Sequence, residues 1–140
     1  MDNPTINKME SIILTGSRGF IGSHIRDELV SKKIKTICPI REESKEENDY
    51  LKYIRLDLSN IKSLNDLFSE HRPKIVIHAA AKPDIRNQIE DPQESTDVDI
   101  TYKLLKTSCK NNVLKFIYIS SGAIYGLQES KPPFPEELPP

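Results

Sequence analysis

Three groups of residues in this 140-residue sequence have the types and spacing to do chemistry. The first is Thr15-Gly16-Ser17-Arg18-Gly19-Phe20-Ile21-Gly22, directly behind a short apolar run. A glycine at 16 lets the chain turn sharply. One at 19 removes side-chain bulk where backbone must approach a diphosphate, and one at 22 lets a following helix pack closely. A helix that opens behind such a turn offers free N–H groups and a positive dipole end to an anion. No Lys-Ser or Lys-Thr pair closes the motif, which excludes an ATPase-type phosphate loop. The second group is Asp57-Leu58 and His78-Ala79-Ala80-Ala81, each at the end of an apolar run. Asp57 can serve as a helix N-cap, and His78 reads as a satisfied packing histidine. The third is Ser120-Ser121 before Gly122, a hydroxyl pair behind an apolar run that could simply end a strand. Tyr102 and Lys106 stand four residues apart, a spacing commonplace on solvated helix faces. Cys38 and Cys109 sit in separate apolar runs and fit neither a disulfide framework nor a zinc site, so no metal is expected.

The elements that must position these groups follow from periodicity. A short continuous apolar run at 11–15 predicts a strand buried on both faces, and 34–40, 51–56, 74–78 and 113–120 read as further apolar, β-branched strands of a buried sheet, with Pro39 expected to end the second. Phe20, Ile21, Ile25, Leu29 and Val30 recur at helical spacing, as do Ile61, Leu64, Leu67 and Phe68 behind caps within 57–60. A third helix, over about 95–111, is expected to bury Thr101, Leu104, Leu105 and Ser108. The order β-α-β-loop-β-α-β-α-β predicts an α/β protein. Its core would be a Rossmann-type doubly wound parallel sheet, incomplete at about five strands, with helices on both faces. Ligand then binds at the carboxyl ends of the strands, near the point where strand order reverses.

Composition narrows the class. Lys plus Arg is 20 and Asp plus Glu is 21, a net charge of −1, so bulk attraction to nucleic acid or anionic lipid is not expected. No apolar stretch reaches the roughly 20 residues of a membrane-spanning helix, and the opening MDNPTINKME has no signal-peptide core; the expectation is a cytoplasmic protein. Residues 1–10 read as a loose leader, 11–126 as the ligand-binding domain and 127–140 as a Pro-rich loop. Pro132, Pro133, Pro135, Pro139 and Pro140 crowd that loop, an ending that suggests a continuing chain.

Taken together, these motifs resemble the extended short-chain dehydrogenase/reductase family, the NAD(P)-dependent nucleotide-sugar epimerases and dehydratases. The glycine spacing after Thr15, Asp57-Leu58, His78 to Ala81, Ile89-Glu90-Asp91-Pro92 and Ile119 to Gly126 each match a family segment, in order, through nearly the whole chain. The resemblance implies a cofactor site of Gly16, Arg18, Gly19, Phe20, Ile21, Gly22, Arg41, Asp57, Leu58, Ala79, Ala80, Ala81, Asp97 and Ser120. Asp57 would meet the adenine, and Ser121 would be the catalytic hydroxyl that orients the sugar hydroxyl undergoing oxidation. It also implies a nucleotide-sugar substrate and a homodimer in the complete enzyme.

The sequence departs from the pattern in places. The family often has Asn at the position of Asp97 and Gly at that of Ile100. An acid at the end of the second strand would favour NAD, whereas here Ile40 is followed by Arg41, able to pair with a 2′-phosphate. Glu42 and Glu43 are close enough that a two-residue shift reverses the inference, so the cofactor is NADP or NAD with a lean to NADP. The family's base is a Tyr with Lys four residues on, in the helix after the Ser strand, a helix expected beyond Pro140. Tyr125 has Glu129 at that place, and Tyr102 with Lys106 lies on an earlier helix. The chain alone is therefore expected to be inactive. The alternatives are a stand-alone dinucleotide-binding or sensing module, and a truncated remnant.

Overall fold

A computed structural model describes residues 11–81, 96–121 and 124. Five strands, β1 (Ile12–Thr15), β2 (Thr36–Ile40), β3 (Leu51–Arg55), β4 (Ile75–His78) and β5 (Lys115–Tyr118), form one sheet in the order β3-β2-β1-β4-β5. Every pairing is parallel. Helix α1 (Phe20–Ser31) links β1 to β2, α2 (Ile61–His71) links β3 to β4, and α3 (Thr96–Lys110) precedes β5. The predicted α/β, doubly wound fold is therefore present. Strand order reverses between β1 and β4, both fed from the middle of the sheet.

Alternation along the strands divides the core in two. Ile13, Ile37 and Val76 point to one face, where Leu64, Leu67 and Phe68 of α2 and Ile100 and Leu104 of α3 cover them. Ile12, Leu14, Cys38, Ile75 and Ile77 point to the other, against Ile25 and Leu29 of α1. Because successive residues serve opposite faces, these strands read as unbroken apolar runs. Asn60 caps α2, its side chain accepting from Ser63 N at 3.1 Å.

Four expectations need correction. Pro39 does not end β2: it pairs with Ile54, and the strand continues to Ile40. Thr36 N donates to Tyr50 O and Ile40 O accepts from Leu56 N, so even-numbered residues bond to β3 and Pro39 turns its donorless nitrogen toward β1. Pairing with β1 already stops at Ile37. Second, Leu105 is exposed; the buried stripe of α3 is Ile100, Leu104, Thr107 and Ser108. Ser108 is tolerated there because its hydroxyl donates back to Leu104 O at 2.7 Å. Third, among the described residues β5 is an edge strand, and Leu114, Ile117 and Tyr118 are exposed rather than buried. Fourth, Phe20, Ile21 and Ile61, predicted on apolar helix faces, sit exposed in the first turns, before each helix reaches the sheet.

Candidate cofactor-binding site

At the carboxyl ends of the strands, over the reversal between β1 and β4, lies a cleft of about 460 Å³, a size suited to a small-molecule ligand. Its walls are Gly16 to Gly19 from the turn after β1, Pro39 to Glu42 from the end of β2, Leu56 and Leu58 after β3, Ala79 to Ala81 after β4, and Asp97 and Ile100 of α3. Among the described lining residues the cations are Arg18 and Arg41 and the acids Glu42 and Asp97.

Two glycines are required by the local geometry. Gly16 has φ +70°, and a Cβ there would stand 2.5 Å from the Ala79 carbonyl. The turn after β1 and the segment after β4 thus touch backbone to backbone. At Gly22 a Cβ would run into Gly16 O and C, so this glycine seats α1 on the turn itself. At Gly19 a Cβ would meet only Gly16 O, at 3.3 Å, leaving its bareness to serve the open side. The first turn of α1 carries no side-chain cap and no acid, which leaves its N–H groups and positive dipole end for an anion. Beneath the loop, the buried Ser17 hydroxyl lacks a strong partner; the Cys38 thiol beside it is a weak one. Burial pushes that thiol up to about 11, so Cys38 stays protonated and inert.

His78, at the end of β4 and only 1% exposed, ties the site together. The Thr101 hydroxyl donates to Asp97 O at 2.7 Å, so its oxygen is left to accept from His78 Nε2–H at 2.9 Å. Nδ1 is then the acceptor for the Thr15 hydroxyl at 2.7 Å, whose oxygen accepts from Ala80 N–H at 3.3 Å. One directional chain of bonds therefore joins β1, the segment after β4, and α3. It admits the neutral Nε2–H tautomer, and burial holds the imidazole below its ordinary value while Asp97 pulls the other way. His78 is the satisfied packing histidine its sequence suggests, with the added function of bracing two walls of the cleft.

The remaining predicted residues divide by position. Gly16, Arg18, Gly19, Arg41, Leu58, Ala79, Ala80, Ala81 and Asp97 line the cleft; Phe20, Ile21, Gly22, Asp57 and Ser120 do not. Asp57 is exposed, and its Oδ1 accepts from Ser59 N at 2.9 Å and Ser59 Oγ at 2.8 Å. Those bonds lower its carboxyl below the usual value. It forms an Asx turn, while the helix cap is Asn60. Ser120 and Ser121 follow β5 and are exposed at the same carboxyl edge. Tyr102, with Lys106 Nζ 5.6 Å from its ring centre, belongs to a groove shared with Ile61 and Asn65 of α2, apart from the cleft. Ile89 to Pro92, Gly122, Tyr125 and Glu129 lie outside the described residues. Sequence reasoning missed Ser17, Pro39 and Leu56 as lining residues, and weighed Ile40, Glu42 and Ile100 only as places where the family pattern departs. Ile40, which ends β2, and Leu56, which directly follows β3, were findable, since all carboxyl ends share one edge.

The profile described as "NAD dependent epimerase/dehydratase family" matches residues 12–140. The chain belongs to this family. Among its relatives, Protein CapI of Staphylococcus aureus is 32% identical over 136 residues, covering 86% of this chain and 40% of its own length. Among solved structures, UDP-glucose 4-epimerase of Thermotoga maritima with UDP-glucose superposes with a TM-score of 0.81 at 32% identity, over 93% of this chain and 44% of that one. The Thermus thermophilus UDP-glucose 4-epimerase complex with NAD gives 0.79 at 28% identity, again over 93% and 44%. The chain thus spans less than half the length of these family members and corresponds to their amino-terminal portion.

Proposed function

We propose that residues 11–126 are the dinucleotide-binding domain of an enzyme that acts on a nucleotide-activated sugar, an epimerase, dehydratase or related reductase. The observation that carries this reading is the contact of Gly16 with Ala79 beside the uncapped start of α1. This is a cradle a single Cβ would fill, at the reversal of strand order. Those residues fit a diphosphate. Relatives whose structures contain NAD or UDP-glucose support both the cofactor and the substrate class.

In this reading Gly16, Gly19 and Gly22 leave room for the diphosphate, which the N–H groups of Phe20 and Ile21 approach. Leu58 and Ala79 to Ala81 form apolar walls, Asp57 meets the adenine edge, and Asp97 and Ser120 complete the rim. Arg18 and Arg41 supply positive charge toward the adenosine ribose and favour NADP over NAD. A dinucleotide held by these residues would supply the acceptor for a hydride from the sugar carbon. Ser121 donates or accepts a hydrogen bond at the sugar hydroxyl and orients it. The base that takes the hydroxyl proton comes from outside the described residues, since Tyr102 and Lys106 lie away from the cleft. We assign residues 127–140 to the lead-in toward the catalytic helix, and the protein to the cytoplasm, as a homodimer when complete.

Thermal unfolding with NADPH or NADH tests the reading. At about a hundred times Kd a ligand of the native state adds about 2.7 kcal/mol, a rise of several degrees in Tm. The larger rise is expected with NADPH. An unchanged Tm with both dinucleotides at millimolar concentration sinks the proposal.

A further inference from the structure

Tyr53, in β3, does not line the cleft, yet it touches the groups that shape it. Arg26 of α1 donates through Nη1 to the Tyr53 hydroxyl at 3.1 Å and to the carbonyl oxygen of Ser17 at 3.3 Å. Asp27 Oδ1 holds the other side of the same guanidinium, at 2.8 Å from Nε and 2.7 Å from Nη2. The Arg18 guanidinium lies over the Tyr53 ring, 5.2 Å from its centre. Both Ser17 and Arg18 face the cleft. Glu42 Oε2 is 3.8 Å from Arg18 Nη1, but that carboxylate is 87% exposed, so the ion pair is long, hydrated and weak. The ring is the stronger restraint on an arginine that would otherwise sample many rotamers.

We propose that Tyr53 is a positioning residue for cofactor discrimination: its ring presents Arg18 to the cleft, and its hydroxyl, through Arg26, steadies the Ser17 carbonyl of the glycine turn. The choice between NADP and NAD then depends on a side chain that touches neither. This inference rests on the dinucleotide reading of the cleft. It adds a determinant carried on β3, two strands away from the glycine turn's own strand.

Kd values for NADPH and NADH in the full-length protein test it, with Tyr53→Phe, Tyr53→Leu, Arg18→Ala and the Arg18→Ala/Tyr53→Leu double variant. Tyr53→Leu is expected to weaken NADPH roughly two- to five-fold more than NADH, the range of a solvent-accessible cation–π contact. Tyr53→Phe keeps the ring and the wild-type ratio while weakening both ligands alike. With Arg18 already replaced, Tyr53→Leu leaves the ratio unchanged. Equal weakening of both ligands by Tyr53→Leu, or a ratio change that persists without Arg18, overturns the proposal and leaves the cofactor reading standing. A wild-type protein that binds neither dinucleotide overturns both. Should Tyr53→Leu fail to fold, the wild-type NMR spectrum decides. Arg18 Hδ protons shifted upfield by the Tyr53 ring support the contact, and unshifted ones overturn it.

Discussion

Gly22 shows how two opposed single-residue effects are decided. Gly22 lies in the first turn of α1, where alanine is favoured over glycine by at most about 1 kcal/mol, the mid-helix value. Here the added Cβ would be driven into the Gly16 carbonyl, a backbone group without freedom to step aside. Overpacking of that kind costs about 1–3 kcal/mol and pushes α1 away from the turn. Gly22→Ala is therefore expected to lower stability by about 1 kcal/mol net and to weaken dinucleotide binding at least tenfold. Urea unfolding and a cofactor titration would show it, and a stabilised variant with intact binding would contradict the packing account. Spacing alone made the importance of Gly16 and Gly22 legible. The clashing partners, Ala79 for one and Gly16 for the other, were not, because they belong to the folded arrangement of β1, β4 and α1.

Among the elements, the helix ends are informative because this chain is poor in glycine. All five glycines fall within 16–22 and 122–126, so the turns after helices use other residues. Lys33 follows α1 at φ +58°, Arg72 ends α2 at +43°, and Asn112 follows α3 at +54°. Left-handed backbone costs an L-residue about 1 kcal/mol or more, which glycine avoids. Arg72→Gly, at a position whose N–H already bonds to Phe68 O, is expected to raise stability by about 0.5–1 kcal/mol. A chemical denaturation curve would register it, and a fall in midpoint would mean that the Arg72 side chain matters more than its backbone. The same scale explains the misplaced face of α3. Two polar residues, Thr107 and Ser108, complete its buried stripe, while Leu105 points outward. Hydropathy does not reveal a stripe finished by Ser108, whose hydroxyl bonds back to Leu104 O, and by Thr107, whose hydroxyl is buried without a hydrogen-bond partner among the described residues.

For the molecule as a whole, two histidines make stability depend on pH. Burial holds both His78 and His71 below the ordinary value of 6.5. The unfolded chain takes up protons near 6.5 that the native chain refuses until the pH is lower. Native stability is therefore complete above about pH 7 and declines as pH falls through 6.5 toward the folded values. Between pH 7.5 and 5.5 the urea midpoint is expected to fall as the unfolded imidazoles charge. His78→Gln should shrink that slope while leaving the part due to His71. Urea midpoints across this range test the claim, and a flat profile would show that the native imidazoles protonate freely.

Much of this protein is legible in its amino-acid sequence. The apolar runs, the helical periods, the alternation of elements and the glycine spacing are local in sequence, and each is set by the conformational limits of a few adjacent residues. They were enough for an α/β parallel fold and for the turn after β1 as a wall of the cleft. Tertiary structure alone decided the rest: the order β3-β2-β1-β4-β5, the outward faces of Leu105 and β5, and the orientation of Pro39 toward the finished side of its strand. It also decided the His78 chain from Thr15 to Thr101, and the Tyr53 ring beneath Arg18. Each of these depends on which elements become neighbours, and residues 35 or 63 positions apart carry no mark of each other until burial and hydrogen bonding bring them into contact.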